Sequence, residues 1–265
     1  MSAFDDNELF GARVLELAGR AGRGEIAVGD FCNPREKHAA SVLLERSGYG
    51  GRYAFCGGYE NAERARLVCL PDYMLYDDTK SAAEIAAEAI SEDIAVLRVS
   101  GSGYRELSHR DFMGAVLALG IKRHVIGDII VDEDQHGSYI FCDVKIAAYI
   151  AENLTKVASD TVSTQVTALP EGFGVVRKTM PVSDTVASPR ADCVVAALVN
   201  CPRERAKQLI ISGLTEVNYE ILYKPDAAIE AGDIISVRGA GKFSIISIDG
   251  LTRRGRLRLA AEKYI

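Results

Sequence analysis

Tryptophan is missing from the 265-residue chain, and aromatic residues make up only 7% of it. A surface rich in rings for stacking single-stranded bases is therefore not the first expectation. No apolar run approaches the roughly 18 residues that a membrane span needs; residues 193–199 form one of the longest. The first eight residues are acidic, not basic, which argues against a secretory signal or transit peptide and gives the cytoplasm as the expected location. The six cysteines (32, 56, 69, 142, 193 and 201) contain no C-x-x-C pair, and the four histidines are equally scattered. No zinc spacing appears, so the thiols are expected to be small buried hydrophobes, with no metal or cofactor. Gly101-Ser102-Gly103 lacks the third glycine of a dinucleotide fingerprint, and Gly241-Lys242-Phe243 lacks the hydroxyl residue of a P-loop. No nucleophile–base set can be assembled, and the chain is expected not to be an enzyme.

What is present is a chain long enough for two or three domains, with 48% hydrophobic and 26% charged residues. The net charge of −6 is unevenly spread. Residues 188–265 carry 12 Lys+Arg against 9 Asp+Glu (+3), whereas the first 187 carry 19 against 28 (−9). Within residues 238–258 six basic side chains face one acid, Asp249. A phosphate backbone responds to local field, so the C-terminal part is the candidate contact surface.

The pattern predicts an α+β fold. Residues 1–74 read as an α/β unit: a helix over 7–21, a second opened by Asn33 and Pro34 and running to Arg46, and strands over 53–56 and 66–70. Residues 75–169 begin with an alanine-rich helix and then read β-α-β-β-α-β, a ferredoxin-like order, with Ser108 and Asp111 forming a capping box and Asp143 a cap. The first strand of that series, residues 94–99, offers no stacking ring, so the aromatic signature of RNA-recognition motifs is missing. Gly57, Gly58 and residues 61–64 read equally as a tight turn or as a backbone-amide nest for a phosphate. Residues 170–187, holding Pro170, Pro181, Gly172 and Gly174, read as an extended connector.

Residues 188–265 read as two short helices on a small sheet, with Pro202 at the first position of the second helix. Ala206, Leu209 and Ile210 share one face of that helix, and Arg203 and Lys207 stand together along its edge. Gly241-Lys242-Phe243 reads as a basic turn, within a basic C-terminal extension. Arg190, Arg203, Arg205, Lys207, Lys224, Arg238 and Lys242 are the candidate phosphate contacts, and Gln208 and Asn218 offer neutral hydrogen bonds. Arg64, Arg66, Lys122, Arg123, Arg253 and Arg254 are secondary candidates.

Arg190-Ala191-Asp192, residues 202–210, Gly213, Val217-Asn218, Lys224-Pro225 and residues 232–235 resemble the S-four RNA-binding domain, named for small-subunit ribosomal protein S-four. Ala191 and Pro202 depart from its usual Leu and Ser. Residues 30–36, Gly57-Gly58, 61–64, 107–110, 119–123, 127–131 and 239–242 extend the resemblance to the YlmH family of bacterial S-four proteins, in the same order along nearly the whole chain. That resemblance implies a central ferredoxin-like RNA-binding domain and a C-terminal S-four domain. It further implies structured rRNA or tRNA as partner, and association with the large ribosomal subunit in translation quality control. Neither DNA nor membrane is an expected partner. Two alternatives stand beside this reading. One is an rRNA-modifying enzyme carrying an S-four domain; the other is an adaptor whose acidic part holds a protein while its basic end holds RNA.

Overall fold

A computed structural model describes residues 3–76, 79–175, 178–253 and 255–265, with side chains from residue 8 onward. The chain divides into two compact units, residues 1–175 and 176–265. Segments 1–74 and 75–169, read from the sequence as separate domains, fold together in the first of these units.

The first unit opens with helix α1 (Ala3–Gly22), strand β1 (Ala27–Cys32) and helix α2 (Pro34–Arg46). Asn33 caps α2 through a reciprocal box: its side chain accepts from the Glu36 amide at 3.0 Å, and the Glu36 carboxylate accepts from the Asn33 amide at 2.7 Å. Strands β2 (Tyr53–Cys56) and β3 (Ala65–Cys69) complete an antiparallel sheet in the order β1-β3-β2. β1 escapes sequence reading because Gly29 and Asp30 break its alternation where the pairing register shifts. A Cβ on Gly29 would come within 2.9 Å of Leu17, so glycine lets α1 close on the sheet. Val14, Leu44 and Leu67 fill that side. Helix α3 (Ala82–Ala89), capped by Ser81, brings Ile85 and Ala86 onto Val68 and Leu70 on the other.

The rest of the unit is β4 (Ile94–Ser100), α4 (His109–Ala118), β5 (Ile126–Val131), β6 (Gly137–Asp143), α5 (Val144–Asn153), a small hairpin of β7 (Lys156–Val157) and β8 (Asp160–Thr161), and β9 (Ser163–Thr167). The four main strands lie in the order β5-β6-β4-β9 with every neighbouring pair antiparallel, so the two β-α-β halves interleave. Leu97, Val99, Ile140 and Cys142 point toward α4 and α5, packing on Phe112, Val116 and Ile150. By strand alternation, Val96, Arg98, Tyr139 and Phe141 point to the opposite face.

The second unit opens with a strand. Residues 179–186, read as part of a connector, are strand β10 (Thr179–Val186), which pairs along its length with β15 (Leu257–Tyr264). Pro181 misled the reading. It is tolerated because β10 is an edge strand, where a missing amide donor costs no ladder bond. Helices α6 (Ala191–Leu198) and α7 (Arg203–Ile211) follow, then β11 (Thr215–Val217), β12 (Glu220–Ile221), β13 (Ile234–Val237) and β14 (Gly241–Leu251). The sheet has six strands in the order β10-β15-β14-β13-β11-β12, larger than expected. The residues expected to form a basic turn open β14, and the expected basic extension is mostly the β14–β15 hairpin. Pro202 is the N-cap of α7 and not its first residue. Val194, Leu198, Ala206 and Ile210 pack on Ile235, Phe243 and Leu259.

Candidate nucleic-acid interface

Helices α6 and α7 present a paired cationic feature built on one buried carboxylate. Asp192, in the first turn of α6, is 3% exposed. Its Oδ2 accepts from Arg203 Nε at 3.0 Å and Nη2 at 2.8 Å, while Arg190 donates Nε to Oδ1 at 3.2 Å and Nη2 to Oδ2 at 3.3 Å. Burial alone pushes the Asp192 pKa up, but hydrogen bonds from Arg190 and Arg203 outweigh it and leave the group below its ordinary value. The same hydrogen bonds raise both guanidinium pKa values. Both arginine side chains remain about half exposed, at 44% and 53%. Their carboxylate-facing edges are fixed, and part of each fork is still open to solvent.

The other candidates on α7 are distributed by helix geometry. At 100° per residue, with Ala206, Leu209 and Ile210 buried, Lys207 stands beside Arg203 and Arg205 falls on the opposite flank. Gln208 lies between them, and Arg205, Lys207 and Gln208 are all exposed. Lys224, Arg238 and Arg253 are exposed as well, whereas Arg254 lies outside the described residues. Lys242 sits between two rings, its Nζ 5.0 Å from the Tyr219 centroid and 5.2 Å from that of Tyr264.

Three features offered by the sequence as RNA contacts are engaged inside the fold. Asn218, offered as a neutral RNA contact, adopts a left-handed backbone (φ 50°) and uses both ends of its amide internally. Oδ1 accepts from the Ile234 amide at 2.9 Å, and Nδ2 donates to Asp233 at 2.8 Å. Arg64 and Arg66, offered as secondary contacts, are buried struts. Arg64 donates to the carbonyls of Ile126, Phe31 and Arg123 at 2.9, 3.0 and 3.1 Å, tying β3 to the far sheet. Desolvation lowers its pKa, opposed by Glu36 and Asp128. Arg66 donates to the Gly29 and Asp93 carbonyls and pairs with Asp143 at 3.3 Å. The amide nest at residues 61–64 exists but holds an internal anion. Asp128 accepts from the Glu63 amide at 2.7 Å, the Arg64 amide at 2.9 Å and the Tyr59 hydroxyl at 2.6 Å. Lys122 and Arg123 are exposed; the Arg123 guanidinium donates to the Met113 sulfur.

Sequence reading missed the rings on β6. Tyr139 and Phe141 alternate along a central strand, a period-2 signal present in the sequence, whereas β4 carries no ring. The Phe173 ring lies 5.2 Å from Tyr139, 5.7 Å from Tyr59 and 6.1 Å from Phe141. Beside this face a cavity of about 1000 Å³ opens, its wall including Lys37, Phe55, Tyr59, Ala87, Val96 and Leu169. Among the described residues no group of His, Cys, Asp or Glu is placed to hold a metal ion, and no helix is long and apolar enough to cross a membrane.

Comparison with known proteins gives these elements a class. Residues 93–171, which span β4–β9, match the family described as "Putative RNA-binding domain in YlmH". Along its whole length the chain is similar to a particular protein, the ribosome-associated protein quality control protein P2 of Bacillus subtilis (strain 168). The two are 29% identical over 262 residues, covering 98% of this chain and 94% of the relative. Among solved structures, the cell division protein ylmH from Streptococcus pneumoniae aligns with a TM-score of 0.45 at 21% identity, covering 63% of this chain and 93% of that one.

Proposed function

We propose that the chain is a non-enzymatic RNA-binding protein of the YlmH family that docks on structured rRNA or tRNA at the large ribosomal subunit, in translation quality control. In this reading the second unit is an S-four domain, the first unit contains a ferredoxin-like RNA-binding domain, and the protein works in the cytoplasm. The observation that carries the reading is the Arg190–Asp192–Arg203 cluster. A buried carboxylate holds two half-exposed forks in fixed orientation beside Lys207, which suits oxygens of a folded phosphate backbone. The YlmH-type match of residues 93–171 and the full-length similarity to a ribosome-associated quality-control protein support the partner class. Arg205, Lys224, Arg238, Lys242 and Arg253 supply further positive charge around the same unit.

The test is cosedimentation of the full chain with separated ribosomal subunits at two salt concentrations, repeated for Arg203→Ala/Lys207→Ala. Binding to the large subunit is expected. With two phosphate contacts removed, the log–log salt slope should shrink by about 1.4 to 1.8 units, at ~0.7–0.9 per contact. An unchanged slope excludes these two residues as contacts, and free migration past both subunits at low salt overturns the reading.

A further inference from the structure

The sheet face opposite α4 and α5 carries a feature that the basic second unit does not explain. Tyr139 and Phe141 stand on the central strand β6, and Arg98 stands directly opposite Tyr139 on β4. The Arg98 guanidinium lies over the Tyr139 ring, 4.8 Å from its centroid. It is held there by Asp132 through two bonds, at 2.8 and 2.6 Å. Arg98 is therefore an orienting plane with its charge matched, and not a free phosphate ligand. Gln165 is register partner to Arg98 on the edge strand β9 and is exposed, placing a neutral amide on the far side of Arg98 from the ring, on the same sheet face.

Phe173 is the present occupant of that face. It belongs to a short stretch after β9 without helix or strand, and its amide donates to the Pro170 carbonyl at 3.0 Å. Its ring reaches Tyr139 edge-on at 5.2 Å and stays only partly covered. The face continues, through Val96 and Tyr59, into the cavity whose wall carries the Lys37 amine. A four-stranded sheet bearing rings on its central strands stacks unpaired bases when that face is open. A planar ring supplied by the chain itself occupies the same kind of place.

We infer that Tyr139, with Arg98 beside it and Gln165 beyond on the same face, is a stacking site for an unpaired RNA base, and that Phe173 is a built-in competitor which a bound base displaces. The inference rests on the chain being an RNA binder but uses a site separate from Arg203 and Lys207. Stacking on a ring whose neighbouring charge is already matched gives a contribution with little salt dependence, unlike phosphate contacts.

The test uses the full chain and fluorescently labelled hexanucleotides of riboadenylate and ribouridylate, with a structured rRNA hairpin measured in parallel. Phe173→Ala is expected to tighten hexanucleotide binding by about fivefold or more, and the gain should persist as salt rises. Adding Tyr139→Leu, which keeps apolar volume but removes the ring, should abolish it. Hairpin affinity should stay within about twofold throughout. Phe173→Leu, which keeps an apolar side chain over Phe141, should show part of the gain and guards against a folding defect in the alanine variant. Unchanged or weaker hexanucleotide binding in both Phe173 variants overturns the inference, as does a gain that survives Tyr139→Leu. Either result, with hairpin binding intact, leaves the proposed function standing; loss of hairpin binding by the unaltered chain removes that function instead.

Discussion

Asp192 and Arg203 stand in an asymmetric relation: the carboxylate is almost wholly buried, while the guanidinium it holds through Nε and Nη2 is half open to solvent. Removing the carboxylate charge should therefore weaken RNA binding without deleting any group that touches RNA. Asp192→Asn is expected to lower structured-RNA affinity by about three- to tenfold, because Arg190 and Arg203 lose a shared anchor and must be ordered on binding. It should also cost about 1–3 kcal/mol of stability, the worth of hydrogen bonds to a charged group. The sign of the pH effect follows from the lowered folded-state pKa. This contribution is present above the ordinary Asp pKa and is lost as pH falls through the depressed folded value, so it fades below about pH 4. Urea unfolding against pH should show a shallower acid limb in Asp192→Asn than in the unaltered chain.

Arg203→Ala should separate the two effects. Asp192 keeps Arg190 as a partner, so the stability loss is expected to be small, as for exposed ion pairs. RNA affinity should fall at least as far as in Asp192→Asn. Parallel denaturation and binding titrations check this, and a large stability loss with unchanged affinity would assign Arg203 a purely structural role.

Arg64 makes the opposite prediction. Its guanidinium satisfies three carbonyls from two segments far apart in sequence, and no smaller side chain reaches all of them. Arg64→Ala should cost about 3 kcal/mol, and Arg64→Lys should recover only a minor part, since a single ammonium lacks the planar fork. RNA affinity per folded molecule should not change. Chemical denaturation with a parallel binding titration on folded protein is the check. A selective loss of RNA binding would restore Arg64 as a contact.

Local sequence determines some of these elements and tertiary contacts determine the others. Asn33 and Pro34, Ser108 with Asp111, and Asp143 mark helix starts through bonds within four residues, so local sequence suffices for them. Strand β10 is decided by its register with β15, some 75 positions away, and its proline pointed the other way. Arg64 and Arg203 are both arginines beside an acidic neighbour in sequence, yet one is buried and the other is half exposed. Only tertiary contacts separate them. Tyr139 was visible as one of two alternating rings, but its significance depends on β6 lying beside β4 at the centre of the sheet.

The buried thiols give a test of the core. Burial pushes Cys69 and Cys142 up to about 12. Cys32 also rises to about 12, with burial the first cause and Glu36 adding to it. A thiol with so little thiolate reacts slowly. At pH 8 a maleimide should label the partly exposed Cys193 and Cys201 in the native chain well before Cys32, Cys69 or Cys142. Peptide mapping of the labelled protein gives the order, and early labelling of Cys142 would contradict the packing of β6 against α4 and α5.

Asn218 distinguishes an internal role from an RNA-facing one. Its φ of 50° is costly for most side chains, and its amide bridges the Ile234 backbone and the Asp233 carboxylate. Asn218→Gly relieves the backbone cost but forfeits the bridge; Asn218→Ala suffers both losses. Stability should therefore fall in the order unaltered, Gly, Ala, with about 1–2 kcal/mol lost in the alanine variant. The Ile234 amide is left without its acceptor at the start of β13, so the β11–β13 pairing should show faster amide exchange. The RNA salt slope should remain that of the unaltered protein, since no phosphate contact has been removed. If Asn218→Ala keeps full stability while losing RNA affinity, the amide faces RNA and its internal bonds do not matter to the fold.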